Sequence, residues 1–215
     1  MPSPEDITRH HHWDARNGDD IWIGGRPEPE PVEIVDFDPE WARRYETVAA
    51  WIRAALGDAV LALDHVGSTA VPGLAAKPVI DVDLTLADSA DEAAYVPPLE
   101  AVGFRLRIRE PGWHEHRVLR GEQPRVNLHV FSPGSPETIR HLMFRDWLGA
   151  HPEDAARYVA SKRAAAEAAT AGGEHVMDYN QRKEAVIHEI YARMFAAAGL
   201  IRAEPSGGDA VSSSP

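Results

Sequence analysis

Apolar and polar positions change period repeatedly along this chain, and each change marks an element. Val32-Glu-Ile-Val-Asp36 alternates, which predicts a short strand. Asp38-Pro39-Glu40 opens a helix, with Asp38 as N-cap and Pro39 in the first helical position. Trp41, Tyr45, Val48, Ile52 and Leu56 then recur at helical spacing until Gly57 stops the run. Ala59 to Val66 reads as an apolar strand that ends in Gly67-Ser68. A loop or short turn over 69–77, limited by Pro72 and Gly73, leads to a second apolar strand from Val79 to Leu86. Asp88-Ser-Ala-Asp-Glu caps a helix to about Val102, which Pro97-Pro98 is expected to disturb. Strands over roughly 104–109, 113–120 and 125–131 follow, with a hairpin turn at Gly121 to Pro124.

From Ser135 the period turns helical. Ser135-Pro-Glu opens a helix to about Leu148, and His151-Pro-Glu-Asp opens an Ala-rich one to about Ala169. Gly172-Gly173 breaks that helix, and Asp178 to about Ala198 forms a third, with Val186, Ile190, Met194 and Phe195 on one side. Strands first and helices last predict an α+β domain, a sheet core with C-terminal helices packed on it. The domain spans 32–200. Residues 1–31 form a polar, Pro-rich extension expected to be partly disordered, and 201–215 a Ser/Gly-rich tail expected to be disordered. His10-His11-His12 reads as part of that arm, while Trp13, Trp22 and Ile23 could lie down on the domain.

The 215 residues carry a net charge of −12 and no cysteine. Without thiols, disulfides and thiolate metal sites are excluded. No apolar run approaches a membrane span and the start lacks an apolar core, so no membrane contact and a cytoplasmic location are expected. The acidic balance argues against broad nucleic-acid binding. One segment departs from it: Arg105, Arg107, Arg109, Arg117, Arg120 and Arg125 stand among three glutamates, Glu110, Glu115 and Glu122. Such a wall suits a small phosphorylated ligand, or else it is the solvated face of an edge strand.

The densest chemistry lies in Asp64-His-Val-Gly-Ser-Thr-Ala-Val-Pro-Gly-Leu-Ala-Ala-Lys-Pro-Val-Ile-Asp-Val-Asp83. Asp81 and Asp83 are two apart on a predicted strand and so share a face. Two neighbouring carboxylates repel unless a cation lies between them. A divalent cation there would bridge phosphate oxygens, and Gly67, Ser68 and nearby amides could hold a phosphate. Asn127 and His129 likewise share a face on a later strand, and His129 could ligate a metal or act as a base. His114 and His116 are expected to share a face on the neighbouring strand, giving further candidate ligands or simply surface histidines. His65 could orient the turn or be structural. Trp147, Phe144 and Leu142 read as packing.

These residues resemble the signature of the GrpB family. The resemblance runs on through Asn127-Leu-His129-Val and His141-Leu-Met-Phe-Arg-Asp-Trp-Leu148 to His151-Pro-Glu, and covers about 32–200. It implies a nucleotidyltransferase-like mixed sheet flanked by helices, as in the superfamily that includes DNA polymerase β. It also implies Asp81 and Asp83 as catalytic and metal-binding residues; His129 beside them, and His114, His116 and Asn127 as further candidate ligands, come from the residues themselves. Gly67, Ser68, Thr69, Lys77 and Arg145 would hold a nucleotide. Mg²⁺ is the implied metal, and histidine admits Mn²⁺ or Zn²⁺. Members of the family also occur fused to dephospho-CoA kinases, so a protein partner is a further expectation. The third carboxylate usual in nucleotidyltransferases is replaced here by Asn127 and His129. Three readings follow: a metal-dependent nucleotidyltransferase, a non-catalytic nucleotide- or coenzyme-binding module, and a His/Asp metal-dependent hydrolase.

Overall fold

Five strands form one mixed sheet in the computed structural model, which describes residues 1–10, 21–172 and 176–202. They are β1 (Ala62–Val66), β2 (Ile80–Thr85), β3 (Arg105–Glu110), β4 (His116–Glu122) and β5 (Arg125–Phe131), arranged β1-β2-β5-β4-β3. Only the β2–β5 pair is parallel among these neighbours; the others are antiparallel. His11, His12, Trp13, the break at Gly173 and the tail from residue 203 lie outside the described residues. Among the described residues, no helix is long and apolar enough to cross a membrane. The fold is α+β with a nucleotidyltransferase-like mixed sheet, as the sequence predicts.

The sheet has one apolar and one polar face because its strands alternate. Val82, Leu84, Leu119, Leu128 and Val130 point to one side and are buried. Two helices cover them, α2 (Glu40–Leu56) and α3 (Glu92–Ala101). Helix α2 buries the predicted stripe through Trp41, Val48 and Ile52; its N-cap position is Pro39 rather than Asp38, whose carboxylate accepts from the Glu40 amide at 2.9 Å. Ile52 is fully buried, so Ile52→Ala would cost ~2–5 kcal/mol through lost burial and a cavity. Helix α3 runs through Pro97-Pro98 rather than yielding to them, since Tyr95 and Leu99 anchor it in the core and Pro97 faces outward.

Two more differences from the sequence reading have local causes. Val32–Asp36 is no strand: Val35 pairs only with Ala76, in a loop turned by Gly73 and Pro78 that offers little to extend the ladder. Gly121 belongs to β4, and the hairpin turn is Gln123-Pro124 alone, with Glu122 opposite Arg125. Two residues of the N-terminal extension, Ile7 and Trp22, are buried against the domain. A short helix, α1 (Pro4–Thr8), buries Ile7 and gives its carbonyl to Arg140, while Trp22 bridges Ile108 at the β3 edge.

The polar face of the sheet is closed by α4 (Pro136–Ala150), α5 (Pro152–Gly172) and α6 (Val176–Ala197). Ser135 caps α4, with Pro136 in its first turn. These helices share a second core of Leu148, Tyr158 and Ile190 with Val71 and Leu74 of the loop after β1. That packing sets a wall of helix opposite the sheet's charged residues.

Candidate functional site

Strand register brings the charged residues together. Parallel pairing sets Asp81 beside Asn127 and Asp83 beside His129, and antiparallel pairing sets Asp64 beside Asp83. All point to the polar face, so the shared faces expected from the two-residue spacing are present. Asn127 donates to Asp81 Oδ1 at 2.8 Å, and His129 Nε2 lies 4.0 Å from the same oxygen. Burial opposes the Asp81 charge, but the His129 and Asn127 donors outweigh it and hold its carboxyl below the usual range.

Gly67 follows β1 with φ +69°, a conformation glycine adopts at no steric cost. Its backbone presses on Asp81: a Cβ at Gly67 would sit 2.5 Å from Asp81 Oδ2. Ser68 begins a tight 3₁₀ turn, and its Oγ accepts from Lys162 Nζ at 3.0 Å. Lys162 also donates to the Ala75 carbonyl at 2.5 Å and lies over the Tyr158 ring. Burial, helped by the like charge of Lys183, pushes the Lys162 ammonium down to about 7.

Asp83 lies deeper, at 1% exposure, and both its oxygens accept from His141 Nδ1, at 3.1 and 2.9 Å. Burial alone would lower His141, but the Asp83 charge and hydrogen bond, with Glu137 nearby, raise it to about 9. The two form an ion pair at neutral pH. A second string runs across the sheet. Glu110 Oε2 lies 2.7 Å from His116 Nδ1, and His116 Nε2 lies 3.0 Å from His129 Nδ1. Burial and the neighbouring His129 and His141 hold His116 well below its ordinary value, so it is neutral. A neutral His116 that donates to Glu110 accepts the Nδ1 proton of His129. Nε2 of His129 is then the ring nitrogen that faces Asp81.

These groups open on one cavity of about 860 Å³ between the sheet, the N-terminal strap and α5–α6. Gly67, Ser68, Lys77, Asp81, Asn127 and His129 all line it. Four wall arginines line it too, Arg105, Arg107, Arg120 and Arg125, whereas Arg109 and Arg117 turn to the other face and pair with Glu92.

Other expected site residues are placed elsewhere. His114 and Glu115 have positive φ, so β4 begins only at His116 and the alternation assumed for His114 and His116 fails. His114 lies beside Asp6 and Met1 in a separate crevice. Thr69 is buried, donating to the Val79 carbonyl at 3.2 Å and sharing a hydrogen bond with His65 at 3.0 Å. Arg145 donates to the His65 carbonyl and to Asp146, and so braces β1 instead of entering the cavity. His116 supports His129 from beneath. Among the described residues, no three His, Asp or Glu side chains converge as a ready-made metal cage.

The sequence reading missed His141, Lys162, Lys183 and Glu110. His141 stood in a quoted motif without a role, and its signal was a histidine on a helix that had to return to the sheet. Lys162 and Lys183 are cations on helices read as packing; only tertiary structure turns them inward.

Known proteins agree with this architecture. The family model described as GrpB protein matches residues 31–193. A UPF0157 protein of Halalkalibacterium halodurans is 45% identical over 168 residues, covering 78% of this chain and 85% of its own. A dephospho-CoA kinase of Mycolicibacterium paratuberculosis is 34% identical over 165 residues, which is 65% of this chain but only 40% of the kinase. The crystal structure of conserved protein GrpB from Enterococcus faecalis superposes with a TM-score of 0.67 at 28% identity, covering 78% of this chain and 99% of that one. With the family model spanning most of its length and the same fold in a solved relative, this chain belongs to the GrpB family.

Proposed function

We propose that the Asp81 end of the cavity binds a nucleoside triphosphate with a divalent cation, and that the protein transfers a nucleotidyl group to an acceptor. The observation that carries this is the convergence of the Gly67-Ser68 turn, the charged Asp81 and the lysines Lys162 and Lys183 from the facing helices on one cavity. Phosphate-binding sites pair close-approach backbone with cations in this way. Lys162 and Lys183 would hold phosphate oxygens, with the Ser68 hydroxyl beside them.

The residues fit a cation. Asp81 is kept ionised, and His129 Nε2 lies across from it at 4.0 Å. Those two would hold the ion, and Asp83 would join them on giving up His141. One carboxylate and one imidazole suit Mn²⁺ or Zn²⁺ as well as Mg²⁺. The ion would neutralise charge on the phosphate oxygens. His129, if unligated, is placed to take a proton from an acceptor hydroxyl. The reading fits a cytoplasmic setting, where nucleotides are supplied.

The test is thermal shift and calorimetry of the full chain with ATP, GTP, CTP, UTP and coenzyme A, with and without Mg²⁺ or Mn²⁺. A metal-dependent gain in stability with one nucleotide, lost in Asp81→Asn, supports the reading. No binding of any of them sinks it. A second reading, a non-catalytic nucleotide or coenzyme module, is favoured by the buried His141–Asp83 pair and by Asn127 and His129 standing where a third carboxylate is usual. Likeness to part of a dephospho-CoA kinase points the same way and suggests a protein partner. It predicts binding without turnover. The metal-hydrolase reading has least support, since His114 lies apart and His116 is engaged by Glu110 and His129.

A further inference from the structure

The cavity has a second end, and its charges are not used by the nucleotide site. Arg120 and Arg125 on β4 and β5, Arg105 and Arg107 on β3, and Lys77 beside them gather there in a protein of net charge −12. Arg105 and Arg107 donate to backbone carbonyls, of Glu100 and Phe104 and of Gly25 respectively. Arg120 Nε is buried without a hydrogen-bond partner among the described residues. Burial and the neighbouring Arg107 charge lower the Arg120 guanidinium's affinity for its proton. Crowded cations with an orphaned buried donor are costly unless an anion completes them.

Three carboxylates, Glu28, Glu30 and Glu122, line the same cavity, and the charges of Glu30 and Glu122 act on Arg120. Glu30, on the strap leading from Trp22, accepts from Arg125 at 2.5 Å and from Lys77 at 3.4 Å. It satisfies two of the cations and leaves the Arg120 Nε without a partner. A phosphate brings more charge and more acceptor oxygens than a carboxylate, and arginine forks match it.

We propose that this arginine end is a second anion subsite, built for the phosphate of a phosphorylated small molecule, with Glu30 as an intramolecular stand-in that the phosphate displaces. Where the other end holds a nucleotide, this subsite holds the acceptor, so the acceptor is a phosphorylated compound; that assignment rests on the nucleotide reading. The anion site itself does not.

The test is calorimetric titration of the full chain at low salt, without metal or nucleotide. Inorganic phosphate and pyrophosphate are the probes, with acetate and citrate as the carboxylate arm. Phosphate is expected to bind, at least tenfold more weakly to Arg120→Gln/Arg125→Gln and several-fold more tightly to Glu30→Gln. Arg125→Gln alone, at a half-exposed position, serves if the double variant does not fold, with a smaller loss of the same sign. Arg157→Gln, an exposed cation outside the cavity, is expected to leave binding unchanged. Loss in Lys162→Gln, at the other end, but not in the Arg120 and Arg125 variants overturns the proposal, as does equal affinity in wild type, Glu30→Gln and the Arg120 and Arg125 variants. Carboxylates binding as tightly as phosphates of equal charge overturn the phosphate assignment. Failure of the nucleotide reading shows separately, as absent metal-dependent nucleotide binding.

Discussion

The backbone of Gly67 lies against the carboxylate of Asp81, so closely that a Cβ there would come within 2.5 Å of Oδ2. Two motifs that are fourteen residues apart in sequence are thus one unit in space. Gly67→Ala would meet both the φ of +69° and this contact. Gly73, at φ +79° with open space around it, is a positive-φ reference without such a contact. Gly73→Ala should cost ~1–2 kcal/mol, and Gly67→Ala measurably more, by displacing Asp81. Denaturant midpoints of the two variants decide it, and equal losses would mean that Asp81 moves aside freely.

Lys162 and His141 give opposite pH dependences over one window. His141 is raised from 6.5 to about 9, so its stabilisation is full below 6.5 and is lost as pH rises through 9. Lys162 is lowered from 10.5 to about 7, so its penalty is full below 7 and is relieved toward 10.5. Between pH 7 and 9 the two slopes oppose, each at most about 1.4 kcal/mol per pH unit. In metal-free buffer, His141→Gln should therefore gain stability with pH relative to wild type across that window, and Lys162→Met should lose it. Urea midpoints against pH read the difference. Parallel profiles for all three proteins would refute the assignment.

The Glu110–His116–His129 string fixes which nitrogen of His129 faces Asp81. In His116→Phe the Nδ1 proton of His129 loses its acceptor, and the ring is free to present either tautomer. Supports of this kind commonly alter metal affinity by ~10–100-fold. Mn²⁺ titration followed by electron paramagnetic resonance should show weakening of about tenfold in His116→Phe, with thermal stability as a folding check. Nitrogen NMR should show His129 protonated at Nδ1 in the wild type. Unchanged Mn²⁺ affinity, with the Nδ1 form equally populated, would remove the string from the site.

What could be read from sequence was local. Asp81 and Asp83 share a face because strand alternation is strict, and Gly67-Ser68 had to turn because an apolar run ended there. The helical stripe from Trp41 to Ile52 was readable for the same reason. His114 was misplaced because two consecutive residues at positive φ are invisible in a hydrophobic pattern. Lys162 was hidden for a different reason: an Ala-rich helix gives no sign of which neighbour its one buried lysine meets. Strand order also lies beyond the pattern, and it alone decides that β5, not β4, sets its histidine beside β2. The six arginines between 105 and 125 looked like one wall, but alternation turns Arg117 away from Arg120, and a register shift between Leu106 and Ile108 turns Arg109 away from Arg105 and Arg107.

That division makes Glu92 the counter-charge of the other face. Arg117 is nearly buried, its side chain 5% exposed, and its Nε donates to Glu92 Oε1 at 2.6 Å. Arg109 donates to the same carboxylate, with Nε to Oε1 at 2.6 Å. Held mainly by Arg109 and opposed by its own burial, the Glu92 carboxyl titrates below its ordinary range. Glu92→Ala leaves Arg117 buried, with Glu115 at 3.2 Å as its remaining acid partner. Removing one member of a buried pair costs ~3–5 kcal/mol, and the surviving Glu115 contact places this variant at the lower end. Glu92→Gln keeps the acceptor oxygen without the charge and should fall between wild type and Glu92→Ala. Because the change lies across the sheet from the cavity, phosphate affinity at the arginine end should not move. A denaturation series paired with the phosphate titration tests both halves: a small stability loss would mean that Arg117 finds solvent, and a change in phosphate affinity would mean that the two faces are coupled.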